Sequence, residues 1–163
     1  MRSGNNYFYF LSDDYYDKFN TDGKLMTNKG SNLRPCFYAF KERDSELYWM
    51  IPISSKVEKY RGIYEKKVAK SKNGTCDTID FGYVWGEERA FLIQNMCPAT
   101  ANYFVNHYVK HETIVTVDVD FERELLKKAK RILRHVRAGR TYLILPNVLR
   151  IERELLEELA EIE

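Results

Sequence analysis

Two adjacent serines and a lysine follow directly on an apolar segment in YWMIPISSKVEKY, residues 48–60. The run over 48–53 is typical of a buried strand, so Ser54, Ser55 and Lys56 lie where that strand ends. Hydroxyl groups and a cation at such a point suit a phosphate, because they supply hydrogen-bond donors and positive charge. A structural interpretation is also open, since Ser55 and Glu58 have the spacing of a capping box. Both can hold together, because a helix N-terminus is itself an anion site.

Positive charge is concentrated in two segments of a chain whose net charge is only +2. Residues 56–72 carry seven Lys/Arg and two Glu, and residues 121–140 carry eight Lys/Arg and two Glu. The last segment, 147–163, has two Arg and six Glu. Such segregation favours a polyanionic partner that meets one face of the molecule. The alternative is a set of solvated helix faces without a partner.

Length and composition indicate one globular domain of 163 residues, with 44% hydrophobic and 31% charged residues. We find no apolar stretch long enough to span a membrane and no signal-peptide pattern, so a cytoplasmic location is expected. The cysteines Cys36, Cys76 and Cys97 are far apart and form no CxxC, which favours three separate core residues.

Two further groups of residues could do chemistry. His107 and His111 have the i, i+4 spacing of two metal ligands on a helix, but no HExxH motif accompanies them and their segment borders a strand. Glu87 and Glu88 follow Gly86 at an apparent turn, where solvation is the simpler interpretation than acid catalysis. We therefore predict no metal site and no cofactor.

Hydrophobic periodicity and turn residues predict an α+β fold with an antiparallel sheet, since sequence neighbours pair as hairpins. Strands are predicted at residues 7–11, 34–40, 47–53, 78–85, 89–94, 114–119 and 142–145. Helices are predicted from Ser12, over 56–70, from an Asp120 cap to Gly139, and after Pro146. The segment 20–33 is predicted as a long loop, Pro98 as a break in the chain, and 101–108 fits either a strand or a helix.

Two helices carry an apolar stripe in the sequence. The stripe of the helix before Gly139 consists of Leu125, Ala129, Ile132 and Val136. The inward face predicted for the terminal helix consists of Val148, Ile151, Leu155, Leu159 and Ile162. Each stripe has the spacing of a helix that packs on the sheet.

Four segments in this order resemble the toxins of type III toxin–antitoxin systems, the ToxN/AbiQ/CptN/TenpN group, and are most similar to its CptN and TenpN branches. The segments are RPCFYAF, YWMIPISSKVEKY, AFLIQNMCPAT and ILPNVLRIERELL. The resemblance covers most of the chain, and its specific part is residues 34–60. It implies a strongly twisted antiparallel sheet with an SH3-like barrel core, similar to that of the MazF and CcdB toxins, surrounded by helices.

The resemblance also implies an activity. Members of this group are endoribonucleases that need no metal and leave 2′,3′-cyclic phosphate and 5′-hydroxyl ends. They process a repeat RNA into pseudoknots, which inhibit the toxin in a cyclic protein–RNA assembly, and several act in phage defence. The group's catalytic pair of hydroxyls after a proline matches Ser54 and Ser55, and Arg34 stands at an earlier basic position. The downstream lysine is either Lys56 or Lys59.

The sequence therefore predicts an endoribonuclease toxin whose partners are an antitoxin RNA and cellular and phage RNA. The RNA-binding surface is predicted to comprise Lys29, Tyr60, Arg61, Lys66, Lys67, Lys70, Arg131, Arg134 and Arg137. Two alternatives stay open: an RNA-binding module without catalysis, and a MazF-like toxin neutralised by a protein. No strong general base lies near Ser55 in the sequence, so charge stabilisation and alignment carry the predicted mechanism.

Overall fold

The computed structural model describes residues 8–30, 32–107, 109, 110 and 113–162. The strands are β1 (Phe8–Leu11), β2 (Pro35–Lys41), β3 (Tyr48–Ser54), β4 (Asp80–Val84), β5 (Glu87–Phe91), β6 (Cys97–Ala99), β7 (Phe104–His107), β8 (Val109–Lys110) and β9 (Thr113–Ile114). The helices are α1 (Asp13–Phe19), α2 (Val57–Lys70), α3 (Val119–Arg137) and α4 (Val148–Ile162). Short 3-10 turns span Ile93–Asn95, Ala101–Tyr103 and Thr141–Leu143.

The main sheet is antiparallel and has seven strands, with β4, β5, β3, β2, β1 and β7 in spatial order and β6 also paired to β3. Strand β3 changes its partner on one edge along its length. Tyr48, Trp49 and Met50 pair with β6, whereas Ile53 and Ser54 pair with β5. The predicted α+β class with an antiparallel sheet is confirmed.

The core lies between the sheet and the helices α1, α3 and α4. Trp49, Phe8, Phe37 and Phe91 are fully buried, and the Phe8 and Phe37 rings meet edge to face with centroids 5.4 Å apart. A smaller cluster beneath α2 consists of Tyr60, Cys76, Ile79, Ala90 and Leu92. The predicted stripe of α3 is buried, as are Val148, Ile151 and Leu155 of α4.

Gly82 of β4 is required by the packing of α3 on the sheet. A Cβ atom at this position would lie 2.5 Å from the Phe121 ring, and real Cβ atoms do not approach other atoms so closely. The absence of a side chain lets the ring of Phe121 reach Phe91, whose centroid lies 4.9 Å away. The first turn of α3 is thereby seated on β4 and β5.

Two boundary predictions near α3 are wrong. The predicted strand over 114–119 does not form beyond Ile114, and α3 already begins at Val119. Val115 and Val117 are buried, so the alternation in the sequence reflects burial rather than a continued strand. The helix is capped by Asp118 instead of Asp120, because the Asp118 carboxylate accepts the N–H groups of Asp120 and Phe121 at 3.0 and 3.1 Å.

Three further predictions fail for reasons of packing. Pro98 does not break the chain but lies in β6 opposite Trp49, a place that a proline tolerates on a short strand. Residues 142–145 form no strand, because the chain turns in a 3-10 helix over Thr141–Leu143, after which the Leu145 N–H donates to the Gln94 carbonyl. Ile162 is 69% exposed, since the last turn of α4 extends past the core. The ambiguous segment from Ala101 contains a 3-10 turn followed by β7.

Within the described residues, no helix combines the length and the apolar character that a membrane crossing needs.

Candidate active site

A cavity of about 230 Å³ lies where β3 leaves the sheet. Its walls are formed by Lys29, Asn32, Leu33, Arg34, Pro35, Ile53, Ser54, Ser55, Lys56 and Arg89. Four of these residues are cationic, and none of the lining residues is acidic. A concave site of this composition suits an anion.

The end of β3 places the two serines in different environments. Ser54 pairs with Ala90 of β5 and is buried, and its Oγ accepts the Lys56 N–H at 3.1 Å. Ser55 is exposed, and its hydroxyl forms no hydrogen bond within the described part of the chain. Ser54 therefore shapes the exit from the strand, while the Ser55 hydroxyl remains open to a ligand.

The predicted capping box is not formed. Helix α2 begins at Val57 with Lys56 at the cap position, and no side chain caps it. The Ser55 carbonyl accepts the Val57 N–H at 2.9 Å, which places Ser55 one residue too early to cap the helix. The structural interpretation of Ser55 as a helix cap is therefore wrong.

Arg34 fastens the 20–33 loop to the end of β3. Its Nη1 donates to the Ile53 carbonyl at 3.0 Å, and its Nε donates to the Thr27 carbonyl at 3.2 Å. Within the described residues Nη2 has no acceptor, so part of the guanidinium stays available at the cavity. Arg34 thus holds the site together and also contributes positive charge to it.

Lys29 experiences the combined charge of the site. Its pKa is lowered first by the charge of Lys56 and next by the charge of Arg34, with a smaller effect of Lys59. A lowered lysine pKa means that the neighbouring cations repel the added proton. The site is therefore electropositive in a way that a bound anion would relieve.

Of the two candidate lysines downstream of Ser55, Lys56 lines the cavity and Lys59 does not. Lys59 is exposed on the first turn of α2, with its Nζ 5.2 Å from the centroid of the Tyr60 ring. The geometry favours Lys56 as the residue nearer to a ligand beside Ser55.

Arg89 is a site residue that the sequence did not indicate. It lies on β5 next to Ala90, the partner of Ser54, and lines the cavity. Its Nη2 pairs with the Glu87 carboxylate at 2.5 Å, and its Nη1 donates to the Glu88 carbonyl at 2.9 Å. No short motif surrounds it, because its place depends on the pairing of β5 with β3.

Other predicted RNA-binding residues of α2 differ in their exposure. Lys66 and Lys70 are exposed, but the Tyr60 ring is buried in the cluster beneath the helix, so it offers little surface to an RNA. Arg61 pairs with Glu88 at 2.7 Å and lies over the Phe81 ring. Lys67 is half-buried and lines a second cavity of the molecule.

The three predicted arginines of α3 do not form one surface. Arg131 pairs with Asp77 at 2.7 Å and lines the same cavity as Lys67. Arg134 and Arg137 line a different groove beside Phe40 and Lys41. Arg137 is held in ion pairs with Glu42 and Glu152.

The remaining chemical candidates have structural roles or lie outside the described residues. Glu87 and Glu88 begin β5 and are ion-paired rather than simply solvated. The three cysteines are buried free thiols, as predicted. The described residues include no group of His, Cys, Asp and Glu side chains that could hold a metal. His111 and the side chain of His107 lie outside the described part, so the expectation that this pair binds no metal stays a prediction.

Comparison with known proteins supports the fold. No family model matches the sequence, and no curated protein matches it. Among solved structures, the chain is similar to AbiQ, a lactococcal anti-phage endoribonuclease belonging to a type III toxin–antitoxin system, with a TM-score of 0.66. The likeness covers 93% of this chain and 97% of AbiQ at 14% sequence identity. At 14% identity, this similarity shows that the two chains share a fold and nothing further.

Proposed function

We propose that this chain is an endoribonuclease toxin of the type III toxin–antitoxin kind. The observation that carries the proposal is the cationic cavity at the end of β3, which gathers Arg34, Ser55, Lys56 and Lys29 in a fold shared with AbiQ. Within this group, the sequence of the chain resembles the CptN and TenpN branches most. We also propose a cytoplasmic location, where RNA substrates are found.

The reaction that we propose is attack of a ribose 2′-hydroxyl on the adjacent phosphate. The 2′-oxygen forms a bond to phosphorus, and the bond from phosphorus to the 5′-oxygen breaks. The 2′-hydroxyl loses its proton to the solvent, and the departing 5′-oxygen takes up a proton from the solvent. The products are a 2′,3′-cyclic phosphate and a 5′-hydroxyl. No metal takes part in this proposal.

The roles that we propose follow from position and charge. Lys56 and Lys29 offset the negative charge that grows on the phosphorane, and Arg34 and Arg89 add guanidinium donors. The free Ser55 hydroxyl donates to a non-bridging oxygen and aligns the phosphate for attack. Electrostatic stabilisation of this kind is usually the largest part of catalysis, which suits a cavity where the described lining residues carry no imidazole or carboxylate group.

The partners follow from the same proposal. The toxin cuts its own repeat RNA into pseudoknots, which occupy the cationic surface and inhibit it in a cyclic protein–RNA assembly. Cellular and phage RNA are the targets once the antitoxin RNA is lost, which is consistent with a role in phage defence. Lys59, Lys66 and Lys70 are exposed along α2 and would contact the RNA backbone.

The deciding experiment incubates the purified protein with its upstream repeat RNA in EDTA and maps the cut ends. We expect repeat-length fragments with 2′,3′-cyclic phosphate ends. Ser55→Ala should lower the cleavage rate by about 10²–10³-fold, the usual effect of removing one donor to a developing oxyanion. Ser55→Thr, which keeps the hydroxyl, should retain most of the activity.

One alternative function is favoured by a specific observation. Among the described residues, no histidine, aspartate or glutamate lines the cavity, which also suits an RNA-binding module without catalysis. That function predicts tight, salt-sensitive binding of RNA that stays intact. Intact RNA after long incubation in both EDTA and Mg²⁺ would replace our proposal with this one.

A further inference from the structure

A second cavity, of about 610 Å³, lies between the end of α2 and the end of α3. One side consists of Lys67, the segment from Thr75 to Thr78 and Gln94, and the other consists of Arg131, Ile132, His135 and the segment after α3. None of its lining residues lines the first cavity. Its size lies within the range of small-molecule sites.

Positive charge dominates the walls of this second cavity. Lys67, Arg131 and Arg140 line it together with His135, whereas Asp77 is the one acidic residue among the described residues of its lining. Asp77 is already paired with Arg131 at 2.7 Å. An anion that enters therefore meets at least two uncompensated cations.

Lys67 is fixed in place from inside the protein. Its Nζ donates to Thr78 Oγ1 at 2.9 Å and to Gln94 Oε1 at 2.7 Å, both neutral acceptors. Burial lowers the pKa of Lys67, so its charge is only partly compensated by its surroundings. A bound phosphate would supply the missing countercharge.

Apolar and aromatic surface lies next to these cations. Tyr142 is 74% exposed and Leu145 is 52% exposed, while Ile132 and Leu143 complete the wall. The turn at Gly139, with a φ of 114°, directs the chain back so that Arg140 and Tyr142 face the same cavity. An inorganic anion alone would leave this surface exposed to water.

Cations at the end of α3 have a simpler explanation as partners of the helix dipole. That explanation covers His135, which lies in the last turn. It does not account for the exposed Tyr142 and Leu145, nor for the half-buried Lys67, which comes from another helix.

Resting on the proposed function, we propose that this second cavity binds one unstacked nucleotide of the RNA, away from the cleavage site. The base stacks on Tyr142 against Leu143 and Leu145, and its phosphate lies between Arg140 and Lys67. Single-stranded RNA is commonly recognised in this way, by stacking of splayed bases on aromatic rings beside basic groups.

The test measures RNA affinity in the Ser55→Ala background, which separates binding from cleavage. Tyr142→Ala should weaken binding of the repeat RNA by about tenfold, as the loss of one stacked base does. Tyr83→Ala is the matched control, because Tyr83 is also exposed, at 66%, but lies on β4 outside the cavity. Equal effects of the two substitutions would overturn the proposal.

Arg140→Ala provides the second arm, with Arg153→Ala on α4 as its matched control. Both arginines are exposed and have no ion pair within the described residues. We expect Arg140→Ala to reduce the slope of log affinity against log salt by about 1, and Tyr142→Ala to leave that slope unchanged. An unchanged slope for Arg140→Ala would contradict a phosphate contact.

A third arm distinguishes this proposal from the proposed function. Adenosine 5′-monophosphate is added while the ring signals of His135, assigned with His135→Asn, are followed by NMR. A saturable shift that Tyr142→Ala abolishes supports a nucleotide pocket even if the protein cuts no RNA. If free nucleotide binds but Tyr142→Ala leaves RNA affinity unchanged, the occupant is a free nucleotide and our proposal is wrong.

Discussion

At the scale of single residues, the cations around Ser55 act on one another as well as on any ligand. Lys29, Lys56 and Arg34 come from three different segments, yet they lie close enough for their charges to lower the pKa of Lys29. In a folded protein such repulsion is unfavourable, and it persists here because the backbone of the loop and of β3 fixes the three residues. A phosphate bound in the cavity, as proposed above, would offset this repulsion with its negative charge.

Lys56→Gln should raise the pKa of Lys29 toward the ordinary lysine value of 10.5, because it removes the largest cause of the lowering. Lys56→Arg keeps the charge and should leave the pKa low. In the unsubstituted protein, Lys29 loses its proton at a lower pH than an ordinary lysine, so RNA affinity should begin to fall correspondingly early as pH rises. NMR titration of the lysine side chains measures the first effect, and an unchanged Lys29 titration in Lys56→Gln would contradict it.

The two serines should respond differently to the same substitution. Ser54→Ala removes the acceptor of the Lys56 N–H in a buried position and should lower the free energy of unfolding by about 1 kcal/mol. Ser55→Ala removes an exposed hydroxyl without a partner among the described residues, so the stability should not change. Denaturant unfolding of both variants tests this, and equal losses would show that Ser55 has a structural role.

At the scale of elements, the 20–33 loop is held against the sheet by hydrogen bonds from side chains, in place of the backbone hydrogen bonds of a paired strand. Asn28 contributes most directly: its Nδ2 donates to the Leu11 carbonyl and to Asp13, and its Oδ1 accepts the Arg34 N–H at 2.8 Å. Near the start of the loop, the Asn20 Oδ1 accepts the Leu25 N–H. The loop thereby carries Lys29 to the cavity as a folded segment.

Asn28→Ala should release this loop from β1 and from the start of β2. We expect a loss of about 2 kcal/mol in the free energy of unfolding, because the Leu11 carbonyl and the Arg34 N–H lose their partner at a partly buried position. Hydrogen exchange should become faster over the loop, and cleavage should slow since Lys29 is no longer positioned. Asn73→Ala in an exposed turn is the matched control. Unchanged exchange in the loop would show that the Asn28 contacts do not hold it.

At the scale of the whole molecule, one ion-pair network connects the helical layer with the sheet. Arg137 at the end of α3 pairs with Glu42, which follows β2, and with Glu152 of α4. Glu42 also accepts the Trp49 Nε1–H at 2.8 Å. Part of the positive charge of α3 is therefore neutralised by ion pairs inside the molecule, one of them with α4. Those charges are not available to an RNA, so the net charge alone says little about RNA binding.

Arg137→Ala should lower the free energy of unfolding by about 1 kcal/mol, since Glu42 and Glu152 lose their shared partner at a partly exposed position. The loss should shrink in high salt because these charges are screened. Thermal unfolding at low and high salt measures both effects. A large loss of RNA affinity without loss of stability would instead favour the predicted role of Arg137 as an RNA contact.

Local sequence patterns predicted much of the architecture. The β2–β3 hairpin could be predicted because its two runs flank a polar connection, and its pairing of Cys36 with Pro52 brings Arg34 toward Ser54. Helices α2, α3 and α4 followed from periodicity. The family resemblance, rather than a local pattern, implied Arg34, Ser54, Ser55 and either Lys56 or Lys59 as site residues, and the register of the hairpin brings Arg34 toward the serines.

The sequence by itself therefore determined the α+β class, the hairpin and the serines and lysine at its end, because these depend on interactions between near neighbours. Only the tertiary structure decided that Arg89 and Lys29 join that site, that Tyr60 is buried, and that Arg131 lies with Lys67 rather than with Arg137. Those outcomes depend on the pairing of β5 with β3 and on which face each helix presents to the sheet. The strand pairing and the helix orientations are both determined by packing between segments that are distant in sequence, so no short motif predicts them.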